Sequence, residues 1–256
     1  MIERKLFVEN YPQLLMDIML KEDNLDNLIE VTDFCGVDLC FKDLSLSIKL
    51  GKQTVNVVNK VTGRIRGKTM TALMGGSGAG KTSLLNALCG RAPYGETTGT
   101  FYLNGHETDI ESHVDCIGFV PQDDVVYAEL TVRENFIFAG KFLLPNGTTD
   151  GEIEELADET IANLGLARVA NRLVGDVKRR GVSGGEKKRV NIGLELMAIP
   201  SILFLDEPTS GLDASSALIV MKSLNHLVDK EGLTVISVIH QPRMFIYDLF
   251  DSLILL

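Results

Sequence analysis

At 256 residues, 45% of them hydrophobic, the chain can build one large α/β domain or two small ones around a sizeable core. Its 25 Lys and Arg against 35 Asp and Glu give a net charge of −10, which argues against a nucleic-acid binder and predicts no nucleic-acid partner. No run approaches the ~18 apolar residues of a membrane span, Met1 to Val8 lacks the apolar core of a signal peptide, and the four cysteines (Cys35, Cys40, Cys89, Cys116) form no C-x-x-C pair and read as reduced, buried thiols.

In chain order, residues 1–34 form an acidic extension, with eight acids and three bases in residues 1–33. Leu14, Leu15, Ile18, Leu25, Leu28 and Ile29 are spaced for one or two amphipathic helices, either an extension packed on the domain or partly disordered, or a partner-binding or regulatory helix. From Val37 the pattern alternates: Val37, Leu39 and Phe41 on one phase, then Leu44, Leu46 and Ile48 on the other. Period-2 alternation changes face only through a bulge or a short turn, expected between Phe41 and Leu44. Thr54–Val58, Val61–Ile65 and Gly99–Leu103 complete an antiparallel β-rich portion. Between them Met70 to Leu84 reads as an apolar strand, a glycine-rich turn and the start of a helix.

Cys116–Val120 is a further strand, ending at Pro121-Gln122. Thr131-Val-Arg-Glu134 is a capping box opening a helix to about Leu143, broken by Pro145-Asn-Gly147. A second helix spans Glu152 to Leu164. Ser183-Gly-Gly-Glu186 is another capping box, and its helix runs through Ala198 to Pro200. Ile202–Leu205 is a short continuous apolar run, the mark of a strand buried on both faces. A helix from Ala214 to about Lys230 puts Ala217, Leu218, Met221, Leu224 and Val228 on one face. Thr234–Ile239 is another buried strand, and Leu253–Leu256 begins one more, which suggests a fragment of something longer.

The chemistry starts at Gly75 to Thr82, which spells G-x-x-x-x-G-K-[ST]. Glycines let successive N–H groups point inward as an anion nest, and the following helix adds its positive end. Gly75, Gly76, Ser77, Gly78, Ala79, Gly80 and Ser83 would form the cradle, Lys81 would reach β- and γ-phosphates, and Thr82 would place its hydroxyl on Mg²⁺. Downstream, Ile202 to Glu207 is a buried strand ending in two acids. Asp206 is placed to hold the Mg²⁺ and Glu207 to orient and polarise an attacking water.

Together with Gln122 after one strand, Val182-Ser-Gly-Gly-Glu186, Ser210-Gly-Leu-Asp213 and His240 after the last full strand, these motifs resemble the nucleotide-binding domain of ABC transporters over residues 37–256. The spellings S-G-G-E-K-K-R-V-N-I-G-L-E-L (Ser183–Leu196), I-H-Q-P-R (Ile239–Arg243) and L-F-D-S-L (Leu249–Leu253) are similar to the G subfamily, the White or eye-pigment type, whose ATPase domain precedes its membrane domain.

The resemblance implies an α/β P-loop NTPase in residues 35–256, with a mixed central sheet, an antiparallel β-subdomain and an inserted helical subdomain at about 122–198. It implies that ATP and Mg²⁺ bind between Gly75–Ser83, Asp206 and Gln122, with Gln122 sensing the metal and the attacking water and His240 contacting the γ-phosphate. Lys81, Gln122, Glu207 and His240 would carry hydrolysis. Ser183, Gly184 and Gly185 would be offered to the ATP of a second ABC ATPase domain, which Asp213 would contact, in a head-to-tail dimer. The dimer would drive export through a transmembrane domain at the cytoplasmic face of a membrane. The competing reading is a soluble ABC-type ATPase with a non-transport role.

Two positions depart from the family pattern: Leu46 aligns with the usual adenine-stacking aromatic, with Phe41 on the opposite phase, and Gly76 stands where proline is common. Lys178-Arg-Arg180 and Lys187-Lys-Arg189 read as a solvated helical face near a membrane domain, and His106, His113 and His226 as surface residues.

Overall fold

A computed structural model describes residues 37–256 except 52 and 177; the acidic extension with its amphipathic spacing, and Cys35, lie outside the described residues. The β content divides into two sheets. One is antiparallel, ordered β2-β1-β4-β5, from β1 (Leu39–Leu50), β2 (Gln53–Ile65), β4 (Glu96–Leu103) and β5 (His106–Thr108). The other is parallel, ordered β6-β7-β8-β3-β9, from β3 (Met70–Met74), β6 (Ile117–Val120), β7 (Ile202–Asp206), β8 (Thr234–Val238) and β9 (Ser252–Leu255).

The change of phase in β1 is a register shift between Phe41 and Leu44, with Asp43 at φ 52. The two short strands expected at Thr54–Val58 and Val61–Ile65 are one. Lys60, at φ 48, takes up the kink between them, and its N–H donates to the Ser45 hydroxyl at 2.9 Å, so the chain turns without leaving the sheet.

Alternation along the parallel strands builds a core on each face of that sheet. Ile202, Phe204, Leu73, Ile236 and Val238 face the antiparallel sheet, packing with Phe41, Leu46 and with Leu84, Leu85 and Leu88 of α1 (Lys81–Leu88). Leu203, Leu205, Met70 and Val235 face the helices α2 (Val132–Leu143), α3 (Asp150–Asn163), α4 (Gly184–Leu196) and α5 (Ala214–Glu231), with Phe136, Ile161, Val190 and Met221 among the filling side chains. A one-turn helix, α6 (Met244–Tyr247), precedes β9. None of the described helices is long and apolar enough to cross a membrane.

Capping boxes open α2 (Thr131, Glu134), α3 (Thr149, Glu152) and α4 (Ser183, Glu186). The box at Thr149 starts α3 two residues before the expected Glu152, which is its third residue. Glycine at φ 66 stops α5 at Gly232.

The basic run on α4 is a correction to the sequence reading. Lys187 is half-buried, and Lys188 and Arg189 are only 3% and 7% exposed, because α4 packs against α2, α3, α5 and β6 instead of presenting a wet face. His113 is also not a free surface ring: it is half-buried, its Nε2 2.7 Å from the Thr108 hydroxyl.

Candidate functional site

Four of the parallel strands, β6, β7, β8 and β3, end on the same edge of the sheet, where ligands of open α/β folds bind. Each delivers one piece of the candidate site. The turn after β3 carries Gly78 at φ 79 and Gly80 at φ 89, conformations that side-chain-bearing residues resist. Gly80 is the N-cap of α1 and supplies no side-chain hydrogen bond, so the helix's leading N–H groups are not consumed by a cap. Gly76, Ser77, Gly78 and Ala79 are exposed along the rim, with Gly75, Gly80 and Ser83 half-buried behind them. Gly76 itself has open space where a Cβ would stand, so the fold does not demand glycine there.

Lys81 is buried, and its ammonium donates to the carbonyls of Gly75 at 3.1 Å and Gly76 at 2.9 Å. Thr82 Oγ1 donates to Asp206 Oδ1 at 3.2 Å, joining the start of α1 to the end of β7. Burial pushes the Asp206 carboxyl above its ordinary value; the Thr82 hydrogen bond and Lys81 oppose this, and the Glu207 charge adds to it.

Glu207 holds φ 46, an uncommon conformation for a residue with a side chain, and its N–H donates to Val238 O of β8 at 3.2 Å. Its carboxylate accepts from Gln122 Nε2, at the exit of β6, at 3.3 Å. His240 lies two residues beyond Val238, with an exposed ring; the next residue, Gln241, also has positive φ, at 45°.

This edge offers an uncapped helix end and a lysine for an anion, beside carboxylate and hydroxyl oxygens suited to a hard divalent cation. The buried, proton-favouring Asp206 carboxylate is the kind of group a cation would relieve, so the residues fit a nucleoside polyphosphate with Mg²⁺. Neither Leu46 nor Phe41 offers a stacking face, since both are fully buried in the core.

The second group of expected residues lies elsewhere. Ser183 N and Oγ donate to Glu186 Oε2 at 2.7 and 2.8 Å, closing the cap of α4. Gly185 is needed within the chain: a Cβ there would stand 2.9 Å from Ser216 Cβ of α5. Gly184 is exposed and meets only Leu212 Cδ2 at 3.5 Å. Asp213 caps α5, its Oδ1 accepting from the Ser215 and Ser216 N–H groups and its Oδ2 from Ser216 Oγ at 2.6 Å. The Ser216 hydrogen bonds hold its carboxyl below the ordinary value. While α1 packs on β1, β2, β7 and β8, α4 packs on α2, α3, α5 and β6, so the two glycine-rich helix starts have different neighbours.

Sequence reasoning missed three polar side chains of α4, Lys188, Asn191 and Glu195, which bind the segment around Gln122. Their signal was available only as a spacing of three and four residues on a helix without an apolar stripe.

A family model described as ABC transporter matches residues 58–210. ABC transporter G family member 28 of Arabidopsis thaliana is 40% identical, over 99% of this chain and 24% of its own length. ABC transporter G family member 1 of Dictyostelium discoideum is 42% identical over 86% of this chain and 28% of its own length. The chain thus spans about a quarter of the length of these relatives. A solved structure, the ATP-binding cassette MJ0796 as a dimer in a post-hydrolysis state bound to ADP and phosphate, superposes with a TM-score of 0.69 at 26% identity, covering 85% of this chain and 94% of that one. The chain therefore belongs to the ABC transporter family, as an ATPase domain of its G-family branch.

Proposed function

We propose that residues 35–256 form an ATPase domain that binds Mg-ATP at Gly75–Ser83, closes head-to-tail on a second ABC ATPase domain around two such nucleotides, and powers export. The export would run through a transmembrane domain of the same or a partner chain, at the cytoplasmic face of a membrane. The observation that carries the reading is the meeting of Gln122, Asp206, Glu207 and Thr82 at one sheet edge, from three separate parts of the chain.

In this reading the N–H groups of the loop and Lys81 bind and orient the phosphates. Thr82, Asp206 and Gln122 hold the Mg²⁺, which supplies charge neutralisation at the phosphoryl group. Glu207 accepts a hydrogen bond from the attacking water and turns it in line with the γ-phosphorus; Gln122 fixes the carboxylate, and His240 steadies the γ-phosphate. Catalysis by positioning explains why the site contains no activated nucleophile. The exposed Ser183–Gly184 end of α4, with room around Gly184, is free for the partner's nucleotide, and Asp213 stands beside it.

Glu207→Gln tests the reading. The variant should bind ATP, lose hydrolysis by at least ~100-fold, and accumulate as an ATP-dependent dimer in size-exclusion chromatography with light scattering. Undiminished hydrolysis would show that the carboxylate is wrongly assigned; a nucleotide-bound monomer at all concentrations would argue against head-to-tail closure on two nucleotides.

A further inference from the structure

Helix α4 is buried over most of its surface, yet it carries a polar stripe. Lys188, Asn191 and Glu195 stand at i, i+3 and i+7, a single helical face. All three bind main-chain groups of the segment leading from β6 past Gln122. Glu195 Oε2 accepts from the Phe119 N–H at 3.0 Å, Lys188 Nζ donates to the Gln122 carbonyl at 2.7 Å, and Asn191 Oδ1 accepts from the Val125 N–H at 3.2 Å. Lys188 also pairs with Asp124 Oδ1 at 2.6 Å.

The stripe answers a problem of backbone chemistry. β6 is an edge strand, so the Phe119 N–H has no ladder partner on its outer side, and beyond Val120 the chain leaves the sheet altogether, so its N–H and C=O groups need partners from the packed helix. Apolar side chains on α4 would leave those groups unpaired. A lysine is long enough to reach one carbonyl and one carboxylate together, which makes burial of its ammonium tolerable.

We propose that Lys188 is a positioning residue for ATP hydrolysis, holding the main chain of Gln122 so that its side-chain amide stays on Glu207. The contacts are continuous: Lys188 Nζ to Gln122 O, then Gln122 Nε2 to Glu207 Oε2. The same lysine lies on the first turns of the helix whose N-cap is Ser183. Movement of that helix end is therefore delivered to the catalytic edge as a change in the Gln122–Glu207 contact. The inference rests on Gln122 and Glu207 serving hydrolysis as proposed above.

The test compares Lys188→Met, Lys188→Arg, Gln122→Ala and the Lys188→Met/Gln122→Ala pair, measuring kcat and KM for Mg-ATP and the Kd for Mg-ADP. Lys188→Met should lower kcat ~10- to 100-fold, as misplacement of a positioned group does, while Thr82 and Asp206, whose contact does not involve Lys188, keep the metal and leave Kd changed less than about threefold. Lys188→Arg should restore part of the rate, and the pair should be no slower than Gln122→Ala alone, because both act through one contact. Unchanged kcat in Lys188→Met, effects that multiply in the pair, or a Kd that weakens in step with kcat would overturn the proposal. Should Lys188→Met fail to fold, Asp124→Asn, which keeps the lysine and loosens its hold, is to show the same kcat-only loss; a normal kcat there would overturn it equally. Undiminished hydrolysis in Glu207→Gln would instead sink the underlying reading of the site.

Discussion

Thr82 and Asp206, separated by 124 positions in sequence, meet at 3.2 Å with the hydroxyl donating to the carboxylate. That contact ties the helix following the glycine-rich turn to strand β7 of the parallel sheet, and it places the two oxygens most suited to Mg²⁺ side by side.

Asp206 is held, mainly by burial, above the 3.8 of an ordinary aspartate. A folded value above the unfolded one means that the folded chain binds the proton more tightly. That stabilisation is complete below about the unfolded value and disappears as pH rises through the folded one, so at neutral pH the ionised group disfavours the metal-free fold. Asp206→Asn should therefore raise the metal-free melting temperature. It should also abolish the further stabilisation that Mg²⁺ gives in the presence of ADP. Thermal melts with and without Mg-ADP check both; a lower metal-free melting temperature contradicts the assignment.

Replacing Lys81 by Met should weaken Mg-ATP binding by ~10- to 100-fold, equivalent to the ~1.5–3 kcal/mol of a hydrogen bond to a charged group. Isothermal titration measures it. Lys81→Arg should not restore affinity, because a planar guanidinium does not fit a space shaped for one ammonium.

The three capping boxes predict an acid limit. Backbone and side-chain hydrogen bonds from Thr131 and Thr149 lower Glu134 and Glu152, and although burial alone would raise Glu186, the Ser183 bonds leave it below its ordinary value too. A depressed folded value gives stability that is present above the unfolded 4.5 and lost as pH falls through the folded value. Urea unfolding should thus show declining stability below about that pH. Ser183→Ala should remove ~1 kcal/mol at pH 7 and flatten part of the acid decline.

The two glycines after Ser183 should separate stability from activity. In Gly185→Ala the new methyl would stand 2.9 Å from Ser216 Cβ, an overpacking worth ~1–3 kcal/mol, and Ser216→Gly should recover much of it. Gly184→Ala meets only a side-chain methyl at 3.5 Å, so its melting temperature should stay within ~1–2 °C of the wild type. Its hydrolysis should fall at least ~10-fold if another domain's nucleotide must approach there. Equal loss of stability in both variants would contradict the distinction.

Much of this was legible in the sequence because local chemistry and long-range placement agree. The run Ile202–Leu205 is uniformly apolar because β7 is covered on both faces, and the boxes at Thr131 and Ser183 are visible because a cap is a matter of four consecutive residues. The fate of Lys188 and Arg189 was not legible. Charge runs are usually solvated; this one is buried because α4 packs against α2, α3, α5 and β6, and there Lys188 is held by the carbonyl of Gln122, 66 residues earlier in the chain. The continuity of β2 was hidden for a similar reason, since the kink at Lys60 is stabilised by a hydroxyl on the neighbouring strand. Patterns report periodic burial; they do not report which irregular backbone a distant side chain satisfies.

The ammonium of Lys81, bonded to the carbonyls of Gly75 and Gly76, fixes the starting point of recognition. Two main-chain carbonyls thus hold the turn's own cation. If Lys81 binds phosphate as proposed, binding would be an exchange of acceptors, each phosphate oxygen gained being set against a carbonyl contact loosened. The net affinity would then understate the strength of the new contact.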